Sequence, residues 1–122
     1  MVKFLLILMI AFSGAPAPGK AFEFDRTVCD FGEVSLKDGP LECSFTVTNR
    51  SEEPMLIPAV VSSCGCTSVT WTRTEIAPGE TGVIKAVYKN DEGPYPFDKT
   101  LTVYTTLSKR PVILHIRGKV GR

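Results

Sequence analysis

The stretch Leu41-Glu42-Cys43-Ser44-Phe45-Thr46-Val47-Thr48 decides the fold. Its apolar side chains fall on every second residue, and polar side chains occupy the positions between them. Because successive side chains of a β-strand point to opposite faces, this period of two predicts a strand with one buried face. That face carries Leu41, Cys43, Phe45 and Val47, and it needs a second layer to cover it.

Similar short runs, separated by glycine and proline, fill the chain after residue 21. The other runs that predict strands are Phe22 to Phe31, Met55 to Ser62, Val69 to Thr72, Gly82 to Lys89, Phe97 to Thr106 and Val112 to Val120. The run from Met55 is almost continuously apolar, which predicts a strand covered on both faces. Pro78 and Gly79 predict a tight turn at Ala77-Pro78-Gly79-Glu80. About seven short strands without a convincing helix predict an all-β, antiparallel immunoglobulin-like β-sandwich.

The first 21 residues resemble a signal peptide. Met1-Val2-Lys3 precedes an apolar run from Phe4 to Phe12, the order that a secretory signal has. The run is far shorter than the ~20 residues of a spanning helix, so we expect no membrane span after cleavage. We predict a signal peptide at residues 1–21, one mature domain at residues 22–122, and export to the periplasm or outside the cell.

Composition argues against several classes of function. The net charge is +1, and the basic residues near the C-terminus do not form a strong positive field, so we expect no nucleic-acid partner. The chain has no nucleophile elbow, no phosphate-binding glycine loop and one histidine, His115, which we expect on the surface. We therefore predict a protein that is not an enzyme and needs no cofactor.

The four cysteines, Cys29, Cys43, Cys64 and Cys66, are the candidate reactive residues. Reflecting the first predicted strand onto the second about Leu36 places Cys29 opposite Cys43. The same procedure brings Cys64 and Cys66 close to that level. We therefore expect all four cysteines to gather at one end of the sandwich.

Three interpretations of the cysteines compete. In an exported domain the preferred one is a structural Cys29–Cys43 disulfide, with Cys64 and Cys66 bonded together or left as thiols. The second is a soft-metal site for copper or zinc, built from all four cysteines. The third is thiol exchange through Cys64 and Cys66, although no lysine or histidine nearby in the sequence would lower a thiol pKa.

Several motifs, in order along the chain, resemble the family called domain of unknown function 1573. The central one is Ser62-Ser63-Cys64-Gly65-Cys66-Thr67; the others include Asp30-Phe31-Gly32, Trp71, the turn with Pro78 and Gly79, and Ile116-Arg117-Gly118-Lys119-Val120. The resemblance implies an exported bacterial protein, frequent in Bacteroidota, with an immunoglobulin-like sandwich. It implies no activity. It carries the family motif onto Cys64, Gly65 and Cys66, whereas Cys29 and Cys43 are not part of that motif. The wider set of motif residues adds Ser63, Thr67, Trp71, Pro78 and Gly79.

Two functional hypotheses follow. The first, which we prefer, is a non-enzymatic module that binds or assembles with a protein partner through loops or a strand edge. The second is a thiol-based role of Cys64 and Cys66, either copper or zinc binding or disulfide exchange.

Overall fold

The alternating stretch at residues 41–48 forms a strand in the computed structural model, which describes residues 20–121. The strands are β1 (Phe22–Phe24), β2 (Val28–Ser35), β3 (Leu41–Asn49), β4 (Ala59–Ser62), β5 (Thr67–Trp71), β6 (Thr81–Tyr88), β7 (Pro96–Thr105) and β8 (Ser108–Gly121). They form two four-stranded sheets: sheet A in the order β1-β3-β6-β5 and sheet B in the order β2-β8-β7-β4. The predicted all-β sandwich is confirmed. Most of the predicted signal peptide lies outside the described residues, so its cleavage stays a prediction.

The core forms where the alternating strands of the two sheets face each other. On β3, Phe45 and Val47 are fully buried, and Phe45 pairs across the sheet with the fully buried Ile84 of β6. Leu101 of β7 and Leu114 of β8 also pair with each other and are fully buried in sheet B. On β3, the face that the period of two predicts to be buried is therefore a face that packs in the core.

The first predicted strand is divided between the two sheets. β1 pairs with β3 in sheet A, whereas β2 pairs with β8 in sheet B, and this second pair is parallel. Between them, Asp25 clamps β3: its backbone N–H donates to Thr46 O, and its carboxylate accepts from Thr46 N, each at 2.9 Å. The chain then crosses to the other sheet. The sandwich consequently has eight strands, and its pairing is not antiparallel throughout.

The apolar run from Met55 to Ser62 is not one doubly covered strand. Only Ala59–Ser62 forms β4, which is an edge strand of sheet B, and Val61 is 53% exposed. Pro58 comes directly before β4, and it has no N–H to donate to a strand ladder. Met55 instead exchanges two backbone hydrogen bonds with Ile76, at 3.0 and 2.8 Å. The prediction of burial on both sides was wrong because composition alone does not show which strand lies at an edge.

Asn49, the last residue of β3, organises the loop that follows. Its side chain is fully buried; Nδ2 donates to Glu53 O at 2.7 Å and to Ile76 O at 2.8 Å, and Oδ1 accepts from the Ser51 backbone at 2.9 Å. Its carbonyl accepts from the N–H of Gly79 at 2.8 Å. One buried amide therefore connects the loop after β3 to the turn before β6.

Candidate functional site

Cys29 of β2 and Cys43 of β3 form a disulfide that joins the two sheets. Both residues are buried, at 6% and 5% exposure, and their Cα atoms are 6.7 Å apart. This is the pair that strand reflection predicts, but the two residues belong to facing sheets and are not neighbours in one hairpin. The Arg26 guanidinium lies outside the bridge, 3.2 Å from Cys43 Sγ, and donates to Ser44 O at 2.9 Å.

The second disulfide, Cys64–Cys66, closes the loop between β4 and β5. Its Cα atoms are 5.1 Å apart, and both cysteines are half-buried. Ser62 shapes the turn, because its hydroxyl accepts from Cys64 N at 3.2 Å and donates to Cys64 O at 2.9 Å. Ser63 fastens the loop to β7: its N–H donates to Thr100 O at 2.9 Å, and its hydroxyl accepts from Thr100 N at 3.0 Å.

The end of the loop is held by its neighbours in sheet A. Thr67 N donates to Cys64 O at 3.2 Å, and Lys89 N donates to Cys66 O at 2.9 Å. The N–H of Cys66 donates to Cys64 Sγ at 3.1 Å. Thr67 is buried where β5 begins, and Gly65 at the tip is exposed. The loop thus presents one partly exposed disulfide on a fixed backbone.

The two disulfides do not form a four-cysteine cluster. Within residues 20–121, the cysteines that share a possible metal-ligand group are Cys64 and Cys66, together with Glu92. Cys43 lies on β3 and Cys66 leads into β5, two strands away in sheet A, a lateral separation of about 10 Å. Reflection about a loop predicts position along a strand but not the order of strands across a sheet. The predicted four-thiolate metal site is therefore not assembled.

A polar cluster adjoins the exposed disulfide. Glu92 Oε2 lies 3.8 Å from Cys64 Sγ, while Glu92 Oε1 accepts from the Tyr88 hydroxyl at 2.7 Å and pairs with Lys99 Nζ at 3.0 Å. Tyr88 is buried and stacks on Phe97, with the ring centroids 4.1 Å apart. Tyr88 and Lys99 therefore hold the Glu92 carboxylate through Oε1, and Oε2 is the oxygen that lies near Cys64 Sγ.

Two pKa shifts follow from these contacts. The hydrogen bond from Tyr88 lowers the pKa of Glu92, and the contact with Lys99 adds to the effect. Burial raises the pKa of Tyr88, and the hydrogen bond to Glu92 raises it further. At neutral pH Glu92 is therefore a carboxylate and Tyr88 a neutral phenol.

Glu92, Tyr88 and Lys99 were not predicted as site residues. In the sequence, Glu92 belongs to a plain turn at Asn90-Asp91-Glu92-Gly93-Pro94, and Tyr88 lies on the same strand face as Ile84 and Ala86. Glu92 is 28 residues from Cys64. Only the pairing of β5 with β6, and of β4 with β7, brings the three residues to the loop. No local spacing in the sequence signals this arrangement.

The sequence of the whole β-sandwich matches a known family. A family model described as "Protein of unknown function (DUF1573)" matches residues 22–120. The chain belongs to this family. The family predicted from the motifs is thus confirmed, and no curated protein matches this DUF1573 chain.

Solved structures share the fold of this DUF1573 chain. A protein of unknown function from Porphyromonas gingivalis W83 matches with a TM-score of 0.69 and 16% identity, over 81% of this chain and 46% of that chain. The VesB protease of Vibrio cholerae matches with a TM-score of 0.63 and 18% identity, over 97% and 36%. The YadV chaperone matches with a TM-score of 0.57 and 13% identity, over 84% and 52%. Identities this low show the fold alone. This chain spans about half of the Porphyromonas gingivalis chain and about a third of the VesB chain.

The other motif residues of this DUF1573 protein lie away from the cysteine loop. Trp71 is at the far end of β5, where its Nε1 donates to Ile57 O at 2.8 Å and the Arg73 guanidinium covers its ring at 3.8 Å. Pro78 and Gly79 form the predicted turn, closed by Glu80 N to Ala77 O at 2.9 Å with Gly79 at φ 83°. These residues stabilise the sandwich and do not extend the site at Cys64.

Proposed function

We propose that this chain is an exported, non-enzymatic module that binds an extended segment of another protein on the outer face of sheet B. The observation that carries the proposal is an apolar patch formed by Val61 of β4, Tyr104 of β7 and Ile113 of β8. These side chains are 53%, 42% and 44% exposed. Val61 and Ile113 both pair with Thr102, so they lie in one row across the sheet, and Tyr104 is two residues further along the same face.

The surroundings of the apolar patch are polar. On the same outer face, towards the other end of the strands, His115 Nδ1 contacts Asp98 Oδ1 at 2.8 Å and Arg117 contacts Asp30 at 3.4 Å. The outer face of sheet A is largely hydroxyl and charged, as in the Lys85–Glu42 pair at 3.3 Å. An exposed apolar area with a polar surround is typical of a protein-binding surface.

The edge of β4 determines the kind of occupant. Ser63 N donates to Thr100 O, and hydrogen bonds alternate along an antiparallel pair, so the backbone groups of Ala59 and Val61 face β7. Those of Val60 and Ser62 point away from β7. An extended segment can pair with this edge through backbone hydrogen bonds to Val60 and Ser62. Its own apolar side chains can then cover the apolar patch. Because β4 has only four residues, the side-chain contacts must supply much of the affinity.

Two further findings, the disulfides and the longer chains that share the fold, support an exported assembly role. Both pairs of cysteines in the described residues are disulfide-bonded, as is usual outside reducing compartments. No helix in this part of the chain is long and apolar enough to cross a membrane. The solved structures that share the fold are longer chains, of which the matching region covers 46%, 36% and 52%. A sandwich of this kind thus recurs as one part of a larger protein.

Site-specific photo-crosslinking in the producing cell tests the proposal. A photoreactive residue at position 61 or 104 should crosslink to one protein, whereas the same residue at position 83 should not, since Val83 is 42% exposed but lies on sheet A. Val61→Lys should then weaken binding of the purified partner by at least about tenfold, and Val83→Lys should not. Crosslinks at all three positions alike would refute the proposal, and crosslinks between two copies of this chain would replace it with self-association.

A second candidate function is disulfide exchange at Cys64–Cys66. The observation in its favour is that this bond is partly exposed and closes a ring of three residues, so it constrains the unfolded chain by only about 1.5 kcal/mol, against about 3 kcal/mol for the longer Cys29–Cys43 loop. A bond with so small a structural contribution, beside a carboxylate and an ammonium group, suits a chemical role. Reduction by glutathione, followed by alkylation and peptide mapping, should label Cys64 and Cys66 while Cys29 and Cys43 stay bonded. Equal resistance of both bonds would refute this candidate.

A further inference from the structure

We propose that the reduced Cys64 and Cys66 thiolates, together with the Glu92 carboxylate, bind one zinc ion. The inference rests on the second candidate function, because it requires that the Cys64–Cys66 bond can be reduced. It adds Glu92 as a ligand and Lys99 and Tyr88 as the residues that position it.

One sulfur atom and one carboxylate oxygen already lie near the separation that a tetrahedral zinc ion needs. One ligand atom from each of Cys64, Cys66 and Glu92 lies within 4.8 Å of the others. Zinc–sulfur bonds of about 2.3 Å and zinc–oxygen bonds of about 2.1 Å place sulfur and oxygen about 3.6 Å apart in a tetrahedron. The separation of Cys64 Sγ and Glu92 Oε2 is 3.8 Å. Once the disulfide opens, the sulfur atoms need only move to about 3.8 Å from each other.

The carboxylate is already oriented for this role. Glu92 Oε1 is held by the Tyr88 hydroxyl at 2.7 Å and by Lys99 Nζ at 3.0 Å, which leaves Oε2 nearest to Cys64. Hydrogen bonds from a second layer of residues commonly fix a ligand in this way. Tyr88 is itself held by stacking on Phe97. Little side-chain entropy is therefore lost at Glu92 when a metal binds.

The local charge favours a divalent ion. Two thiolates and one carboxylate carry three negative charges, and the Lys99 ammonium offsets one of them. A zinc ion makes the total zero, whereas Cu(I) leaves one uncompensated negative charge. Mixed sulfur and oxygen donors are also within the ligand set of zinc. With three protein ligands, the fourth position is open to water or to a donor from a partner.

Opening the site is a two-electron reduction. An external dithiol breaks the Cys64–Cys66 bond; its two sulfur atoms form a new disulfide, and its two thiol protons end on Cys64 and Cys66. Zinc then displaces those two protons. Cys29 and Cys43 are 6% and 5% exposed and keep their bond under mild reduction.

Zinc titration of the reduced, full protein tests the inference. The chain is treated with a phosphine reductant, desalted without oxygen, assayed for two free thiols and titrated with Zn²⁺ against a chromophoric chelator. We expect one zinc per chain and release of about two protons. Glu92→Gln should weaken binding by about tenfold or more. Glu33→Gln is the matched control, because Glu33 is an exposed carboxylate on β2 outside the ligand group, and it should bind as the wild type does.

The outcomes separate the two ideas. Two free thiols without zinc uptake would overturn the zinc site and leave disulfide exchange standing. No free thiols would refute both. Zinc uptake that Cys64→Ser leaves unchanged would also overturn the inference, and uptake that Glu92→Gln leaves unchanged would remove Glu92 as a ligand.

Discussion

The indole Nε1 of Trp71 donates a 2.8 Å hydrogen bond to the backbone carbonyl of Ile57. Trp71 ends β5 at the edge of sheet A, and Ile57 lies in the segment that leads into β4 at the edge of sheet B. The tryptophan therefore ties together the two sheets on the side away from the Cys29–Cys43 disulfide.

Replacing Trp71 with phenylalanine keeps an aromatic ring but removes this donor. We expect the free energy of unfolding to fall by about 1 kcal/mol or more, since the Ile57 carbonyl loses its partner and the ring is smaller. Urea denaturation followed by circular dichroism gives the value. Tyr95→Phe is the control, because Tyr95 is 65% exposed, and it should unfold at the wild-type midpoint. Equal midpoints for both variants would show that the Trp71 hydrogen bond does not contribute.

The two disulfides should differ in their effect on stability. Replacing Cys29 and Cys43 together by alanine should cost about 3 kcal/mol, whereas replacing Cys64 and Cys66 together should cost about 1.5 kcal/mol, because the shorter ring restricts the unfolded chain less. Thermal denaturation of the two double variants measures the difference. A larger loss for the Cys64/Cys66 variant would mean that this bond is chiefly structural.

The alternating stretches were sufficient to predict which residues pack. The sequence alone places Phe45 and Val47 on a buried face, and both are fully buried. The reason is that period-two burial is a local property of a strand. The Cys29–Cys43 pair could be predicted for a similar reason, because a short connection keeps both residues at matching levels.

Order across the sheets was beyond local patterns. The apolar composition near Val61 does not show that β4 is an edge strand, and nothing near Asp25 shows that β1 and β2 enter different sheets. The cluster at Glu92 could not be predicted for the same reason, because it depends on strand pairing between segments far apart in the chain. Local periodicity predicts faces, but the neighbours of a site are set by topology.

Stability should depend on pH through Glu92. The pKa of Glu92 is lowered in the folded protein, first by the Tyr88 hydroxyl and then by Lys99. A lowered pKa stabilises the folded state above the unfolded value of about 4.3, and that stabilisation is lost as pH falls through the folded pKa. The stability difference between wild type and Glu92→Gln should thus be largest near neutral pH and should shrink below about pH 4.

Urea denaturation from pH 7 to pH 3 tests this dependence. Tyr88→Phe keeps the carboxylate but removes the principal cause of its shift, so its pH dependence should lie between those of the wild type and Glu92→Gln. A constant difference between the wild-type and Glu92→Gln curves over this range would show that the Tyr88–Glu92 contact does not form in solution.

Gly79 and Gly65, two of the motif glycines, should differ in their response to substitution. Gly79 has φ 83°, a left-handed conformation, so Gly79→Ala should destabilise the protein by about 1 kcal/mol or more. Gly65 is not at positive φ, and an added Cβ would have no neighbour within 4 Å. Gly65→Ala should therefore change stability by less than about 0.5 kcal/mol and leave the Cys64–Cys66 bond intact. Denaturation curves with peptide mapping of the disulfides decide both points. A severe loss on Gly65→Ala would mean that the cysteine loop adopts another backbone, and the placement of Glu92 beside Cys64 would fail with it.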